Sequence, residues 1–132
     1  MEPLGHDPSP ERQRVLVVDD NALIALMLEA CFEAAGWDVV RAADGEQALQ
    51  ILNGQPAFDL VVLDVWLPRM NGLEVLRAMR ALGVASPVLI ITAYAASLDR
   101  THALNLGASD VLLKPFDADT LTARATRLVA PR

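Results

Sequence analysis

Five polar residues in this sequence have the types that phosphoryl transfer requires, and each group of them follows a short apolar run. They are two adjacent aspartates, a third aspartate, a threonine and a lysine: Asp19, Asp20, Asp64, Thr92 and Lys114. Carboxylates without His or Cys beside them favour Mg²⁺, because hard oxygen ligands suit that ion. A lysine and a hydroxyl can hold the oxygens of a phosphoryl group while a carboxylate acts as nucleophile. The residue types therefore indicate an aspartyl-phosphate site, provided that the fold brings them together.

The elements that must position these residues alternate between short apolar runs and helical patterns. Continuous apolar runs are typical of strands covered on both faces, and they predict strands at 14–18, 37–41, 60–63, 87–91 and 109–113. Helical spacing with polar caps and glycine stops predicts helices at 22–35, 44–52, 73–80 and 97–106, and a last one from Asp117 or Asp119 to about 129. This alternation predicts an α/β fold, a flavodoxin-like (βα)5 three-layer sandwich whose parallel five-stranded sheet has the order 2-1-3-4-5.

That strand order brings the polar residues to one edge of the sheet. The strand before Asp19 and Asp20 lies beside the strand before Asp64, and the strands before Thr92 and Lys114 come next. Three carboxylates in one cleft repel each other, so the cluster requires a positive charge to persist. The alternative is that each residue only caps a helix or closes a loop.

Composition narrows the class of protein. The chain has 132 residues, 53% of them apolar, which suits one globular domain, predicted at 14–130 after a flexible tail at 1–13. The single cysteine, Cys31, and the lack of a signal-like segment predict a cytoplasmic location. No apolar run reaches the length of a membrane span, so membrane insertion is not expected. The formal net charge of −6, without a basic patch, argues against direct nucleic-acid binding.

These motifs resemble the receiver (CheY-like) domain of bacterial two-component response regulators. The resemblance covers about residues 14 to 129. It depends on paired acids after the first strand, a third acid followed by a proline and a glycine, a threonine after the fourth strand and a Lys-Pro pair after the fifth. The joint pattern is specific, although each motif alone is weak. The residues behind the third acid are Pro68 and Gly72.

The resemblance implies roles for the acids. Asp64 would accept a phosphoryl group from a histidine kinase or a histidine phosphotransfer protein. Asp20 and Asp64 would ligate Mg²⁺ directly, with the backbone carbonyl of Trp66 as a further ligand. Asp19 would act through a metal-bound water.

The resemblance also assigns the other side of the site. Thr92 would bind a phosphoryl oxygen and Lys114 would pair with it, and the peptide bond between Lys114 and Pro115 would be cis. Val111 stands where the family often has an aromatic side chain three residues before the lysine. The resemblance therefore does not imply the coupled movement of a threonine and an aromatic ring for this chain, and how a switch would work with Val111 at this position stays open.

The function expected on this basis is a phosphorylation-driven binding switch, a single-domain response regulator that assists only its own phosphorylation and dephosphorylation and is not an enzyme. The alternative is a receiver domain from a hybrid histidine kinase or a multidomain regulator. The apolar first helix, including Leu26, could bind a kinase or a second copy, so the oligomeric state and a downstream protein target stay open.

Two rivals belong to other classes. An aspartyl-phosphate phosphohydrolase of the haloacid-dehalogenase type has a second acid two residues after its nucleophile, where this sequence has Trp66. A nucleotide or flavin binder would need a phosphate loop after the first strand, where this chain has two aspartates and Asn21.

Overall fold

Five parallel strands and five helices alternate along the chain in a computed structural model that describes residues 12–54, 57–93 and 100–131. The strands are β1 (Arg14–Val18), β2 (Asp38–Ala42), β3 (Leu60–Asp64), β4 (Val88–Thr92) and β5 (Asp110–Leu113). The helices are α1 (Ala22–Ala34), α2 (Gly45–Gly54), α3 (Gly72–Ala81), α4 (Arg100–Asn105) and α5 (Ala118–Leu128). The strands pair in the order β2-β1-β3-β4-β5, which confirms the predicted topology.

Each strand contributes to two apolar cores because its side chains alternate between the faces of the sheet. In β1, Leu16 and Val18 pack with α2, α3 and α4, while Val15 and Val17 pack with α1 and α5. All five residues of β1, β3 and β4 are buried. This double covering explains why the strands read as continuous apolar runs.

The element ends differ from the predictions by a few residues at most, where the described residues allow a comparison. Asp64 and Thr92 are the last residues of their strands and do not follow them. The second strand begins at Asp38, because the N–H of Trp37 donates to the carbonyl of Phe32 and so belongs to the end of α1. The predicted start of α4 at 97 lies outside the described residues.

Two side-chain networks join the elements at the amino edge of the sheet. Arg80 of α3 donates to the carbonyls of Val84 (2.7 Å), Ser86 (2.9 Å) and Gly107 (2.7 Å), so one side chain joins two loops. Burial lowers the pKa of the Arg80 guanidinium. Gln13 Nε2 donates to the carbonyl of Ala130 at 2.9 Å. Gln13 lies in the stretch that the sequence assigned to the tail, and this bond joins the start of β1 to the chain after α5.

A third network joins α4, β5 and α5. The carboxylate of Asp110 contacts Arg100 at 3.1 Å and Arg124 at 2.8 Å. Burial raises the pKa of Asp110, but the N–H of Val111 and the two guanidinium groups outweigh burial, so its pKa lies below the ordinary value.

Candidate functional site

The strand register places the predicted site residues side by side at the carboxyl edge of the sheet. Val18 lies opposite Leu63, so the residue after β1 is next to the last residue of β3. Asp64 lies opposite Ile91, beside the end of β4. The N–H of Lys114 donates to the carbonyl of Thr92 at 2.8 Å. The predicted convergence is therefore present in the structure.

The acidic cluster consists of Asp19, Asp20 and Asp64. One carboxylate oxygen from each residue lies within 4.8 Å of the others. Asp19 and Asp64 are buried, at 2% and 6% exposure, whereas Asp20 is exposed. The cluster therefore has two acids in the floor of the cleft and one at its mouth.

Lys114 supplies the positive charge in this cleft. Its Nζ lies 3.4 Å from Asp19 Oδ2 and 3.5 Å from Asp64 Oδ2, and its side chain is only 15% exposed. Burial raises the pKa of the Asp64 carboxyl, and Asp19 raises it further, while Lys114 and the N–H of Trp66 oppose the increase. One ammonium group thus faces three carboxyl groups, which leaves the cleft short of positive charge.

Local hydrogen bonds orient the two buried acids. The N–H of Asn21 donates to Asp19 Oδ1 at 2.9 Å, and the Asn21 side chain caps α1 by accepting from the N–H groups of Leu23 and Ile24. The N–H of Trp66 donates to Asp64 Oδ1 at 3.2 Å. Each carboxylate therefore keeps its second oxygen, Oδ2, directed to Lys114.

Gly72 fixes the backbone behind Asp64. Its N–H donates to the carbonyl of Val65 at 2.8 Å, so the first turn of α3 lies against the end of β3. A Cβ on Gly72 would overlap the carbonyl oxygen of Asp64 and would lie 2.9 Å from the Cα of Val65. The sequence marked Gly72 only as part of the motif behind Asp64, and the structure shows that close backbone packing requires glycine there.

The loop between β3 and α3, residues 65–71, has a feature that the sequence did not reveal. Arg69 has a φ of 68°, and its guanidinium contacts the carboxylate of Asp44 at 3.0 Å. Asp44 was predicted only to open α2, and its other oxygen accepts the N–H of Gln47 at 2.8 Å. Arginine rarely adopts left-handed backbone, so the sequence offers no reason to expect a positive φ at this position. It also offers no signal that Arg69 pairs with Asp44.

The remaining predicted residues have mixed environments. Thr92 is fully buried, and Val111 is 5% exposed within the core. The Lys114–Pro115 peptide bond is cis, as the resemblance implied. The Trp66 side chain is half exposed.

The donors in this cleft fit a hard divalent cation. The acidic cluster offers oxygen atoms only, and its three carboxyl groups exceed the single ammonium group of Lys114. Oxygen ligands with two or more carboxylates suit Mg²⁺, which keeps several waters when bound. The geometry and charge therefore fit a magnesium ion.

Comparison with known proteins identifies the class. The family model of the response regulator receiver domain matches residues 15–126, and the chain belongs to this family. It is thus a receiver domain of the kind found in two-component response regulators, whose family function is phosphorylation-based switching.

Two curated relatives are transcriptional regulatory proteins. The chain is 42% identical to DltR of Streptococcus agalactiae over 112 residues, covering 84% of this chain and 49% of that protein. It is 41% identical to CpxR of Escherichia coli over 111 residues, covering 84% and 47%. The chain thus spans about half the length of the curated relatives that it matches.

Solved structures of receiver domains share the fold. The chemotaxis protein CheY4 of Vibrio cholerae superimposes with a TM-score of 0.84 at 32% identity, covering 89% of this chain and 99% of that one. The receiver domain of the Francisella response regulator 1452 gives 0.82 at 33% identity, covering 89% and 96%. Within the described ranges, no helix combines the length and apolar character needed to cross a bilayer.

Proposed function

We propose that this chain accepts a phosphoryl group on Asp64 in a Mg²⁺-dependent reaction and that the aspartyl-phosphate changes which partner it binds. The observation that supports this most strongly is the acidic cluster with Lys114 Nζ within 3.5 Å of both buried carboxylates. A carboxylate held beside an ammonium group can attack phosphorus while the charge on the phosphoryl oxygens is neutralised.

In this reaction the donor is a phosphohistidine of a partner protein. A carboxylate oxygen of Asp64 forms a bond to phosphorus as the bond between phosphorus and the imidazole nitrogen of the donor breaks. The electron pair stays with the imidazole of the donor, which takes a proton. Lys114 faces one phosphoryl oxygen, and the Thr92 hydroxyl donates to another. Asp20, Asp64 and the carbonyl of Trp66 would hold Mg²⁺ directly, and Asp19 would hold it through a water. The bound ion would neutralise charge on the phosphoryl oxygens.

The test is intact mass after incubation with acetyl phosphate, with and without Mg²⁺. We expect one Mg²⁺-dependent phosphoryl adduct on the wild type, none on Asp64→Asn, and a normal adduct on the control Asp119→Asn, whose side chain is exposed on α5. Absence of an adduct on a folded wild type that binds Mg²⁺ would overturn phosphorylation as the switch. Equal adducts on both variants would overturn the choice of Asp64.

We propose a histidine kinase or a histidine phosphotransfer protein as the donor, bound at the outer face of α1. This helix is separated from Asp20 only by its cap, Asn21, and it exposes Leu23 (76%), Leu26 (54%) and Met27 (43%). Exposed apolar residues beside a reactive site suit a helical partner that must bring its phosphohistidine to Asp64.

The matched control for this surface is Leu82, which is also 54% exposed but lies at the end of α3, at the opposite edge of the sheet. Leu26→Glu should slow phosphotransfer from the histidine kinases of the same organism, while Leu82→Glu should not. Both variants should react normally with acetyl phosphate. Equal phosphotransfer rates for the two variants would exclude this face of α1 as the docking surface.

A further inference from the structure

The backbone of the loop behind the phosphoacceptor is strained at one residue. Arg69 is the one residue other than glycine with a positive φ, 68°, in the part of the chain that the structure describes. Left-handed backbone is unfavourable for a side chain such as arginine, and such outliers gather at functional loops. Something must therefore hold this residue in place.

An ion pair holds Arg69 against the start of α2. Arg69 Nη2 lies 3.0 Å from Asp44 Oδ2, and the other oxygen of Asp44 accepts the N–H of Gln47 at 2.8 Å. The Asp44 side chain is 24% exposed, so it offers a fixed anchor, whereas Arg69 is 74% exposed and reaches across to it. The contact thus joins the β3–α3 loop to the N-terminal cap of α2.

Packing of the next residue supports the same attachment. A Cβ on Gly45, the first residue of α2, would lie 3.2 Å from Met70 Sδ and 3.4 Å from Met70 Cβ. Met70 is partly buried and packs against the core. Two neighbouring residues of the loop therefore meet the start of α2: charged Arg69 pairs with Asp44, just before the helix, and apolar Met70 lies beside Gly45, its first residue.

We propose that Arg69 is a positioning residue for the metal: through Asp44 it holds the loop that carries the Trp66 carbonyl in the geometry that binds Mg²⁺. The loop is fixed at its ends by Asp64 and Gly72, as described above. At the start of this loop the N–H of Val65 donates to the carbonyl of Ile91 at 3.4 Å, and Val65 and Leu67 are buried in the core. The other backbone hydrogen bonds that Leu67 and Met70 donate are short-range, from Leu67 to Val65 (3.1 Å) and from Met70 to Pro68 (2.7 Å). The ion pair of Arg69 with Asp44 and the packing of Met70 beside Gly45 attach the second half of the loop, after Leu67, to the start of α2. This inference rests on the proposed function.

The test measures Mg²⁺ affinity by calorimetry and by Trp66 fluorescence, together with the melting temperature. The variants are Arg69→Asn, Arg69→Lys, Asp44→Asn and the double variant of Arg69→Asn with Asp44→Asn. Asparagine tolerates positive φ, so the first variant removes the ion pair without adding strain. Lysine keeps the charge and should preserve most of the affinity.

The direction of the change in Mg²⁺ affinity distinguishes a positioning role of Arg69 from a simple effect of its charge. Loss of a positive charge near the acidic cluster would by itself tighten Mg²⁺ binding, and loss of the Asp44 charge would weaken it. The proposal predicts that Arg69→Asn and Asp44→Asn both weaken binding about threefold, as suits one exposed ion pair. The double variant should be no weaker than the single ones, and the Arg69→Asn melting temperature should not fall.

Each outcome decides between the proposals. If the wild type gives neither heat nor a fluorescence change with Mg²⁺, the proposed function fails. If the wild type binds Mg²⁺ and Arg69→Asn binds it equally or more tightly, the positioning role of Arg69 is refuted while the proposed function stands. Additive losses in the double variant would likewise refute the coupling of Arg69 to Asp44.

Discussion

Replacing Gly72 with alanine tests whether the close packing of α3 on β3 positions the phosphoacceptor. The added Cβ would overlap the carbonyl oxygen of Asp64 and lie 2.9 Å from the Cα of Val65, whereas ordinary van der Waals contact begins at 3.4 Å. Both neighbours are backbone atoms, so no flexible side chain can move aside. We expect the two elements to separate by on the order of 1 Å, which also stretches the hydrogen bond from Gly72 to Val65.

Two effects of Gly72→Ala follow from that separation. Overpacking against backbone should lower the free energy of unfolding by about 1–3 kcal/mol, or roughly 4–12 °C in melting temperature. A displacement of about 1 Å at a reacting group can slow its reaction on the order of 100-fold. We therefore expect acetyl phosphate to label the folded variant far more slowly than the wild type, measured by intact mass over time.

Gly54 provides the matched control, because a Cβ placed there would meet no described atom within 4 Å outside its own helix and its chain neighbours. It is the last residue of α2, and its φ is not in the left-handed region, so alanine fits there without backbone strain. Gly54→Ala should therefore keep the wild-type labelling rate and a similar or higher melting temperature. A Gly72→Ala variant with the rate and melting temperature of Gly54→Ala would refute the reasoning.

Three further predictions concern the charged side chains. Arg80→Met should lower the free energy of unfolding by about 2–3 kcal/mol in urea titrations, because three loop carbonyls lose a charged donor, while exposed Arg77→Met should change it by less than about 0.5 kcal/mol; equal effects would contradict this. Without Mg²⁺, Asp64→Asn should raise the melting temperature by a few degrees at pH 7. Burial raises the pKa of Asp64, so ionisation of this carboxyl lowers the stability of the wild type as pH rises from about 4 through that pKa. The difference in melting temperature between the variant and the wild type should therefore vanish in acid, where the carboxyl is neutral. Asp110→Asn should instead lower the melting temperature at pH 7. The lowered pKa of Asp110 gives the wild type a stability that is present above about pH 4 and is lost as pH falls through that lowered pKa. Melting curves across pH measure both, and the same sign for both variants would contradict the assignment.

Much of the fold could be predicted because its signals are local. Buried parallel strands produce continuous apolar runs, and helix caps are read from single residues such as Asn21 and Asp117. The strand order follows from general rules of α/β folds, and it is enough to place Asp19 beside Asp64.

The unpredicted features all depend on contacts between distant residues. Arg80 reaches Gly107, 27 positions away, and Arg69 reaches Asp44, 25 positions away. Arginine pairs with many carbonyls and carboxylates, so its type does not indicate which one the fold brings near. The left-handed backbone of Arg69 could not be predicted for the same reason. The ion pair with Asp44 offsets its energetic cost, and the residue type of Arg69 does not indicate that partner.

The hydrogen bond between Gln13 and Ala130 has a consequence for engineering. The two ends of the folded unit meet at the amino edge of the sheet, a strand length of roughly 17 Å from the edge where Asp64 lies. A short peptide could therefore join them, with new termini opened elsewhere, to give a circularly permuted protein. The same closeness would let the unit be inserted as a cassette into a surface loop of a reporter protein, with both connections far from the phosphoacceptor.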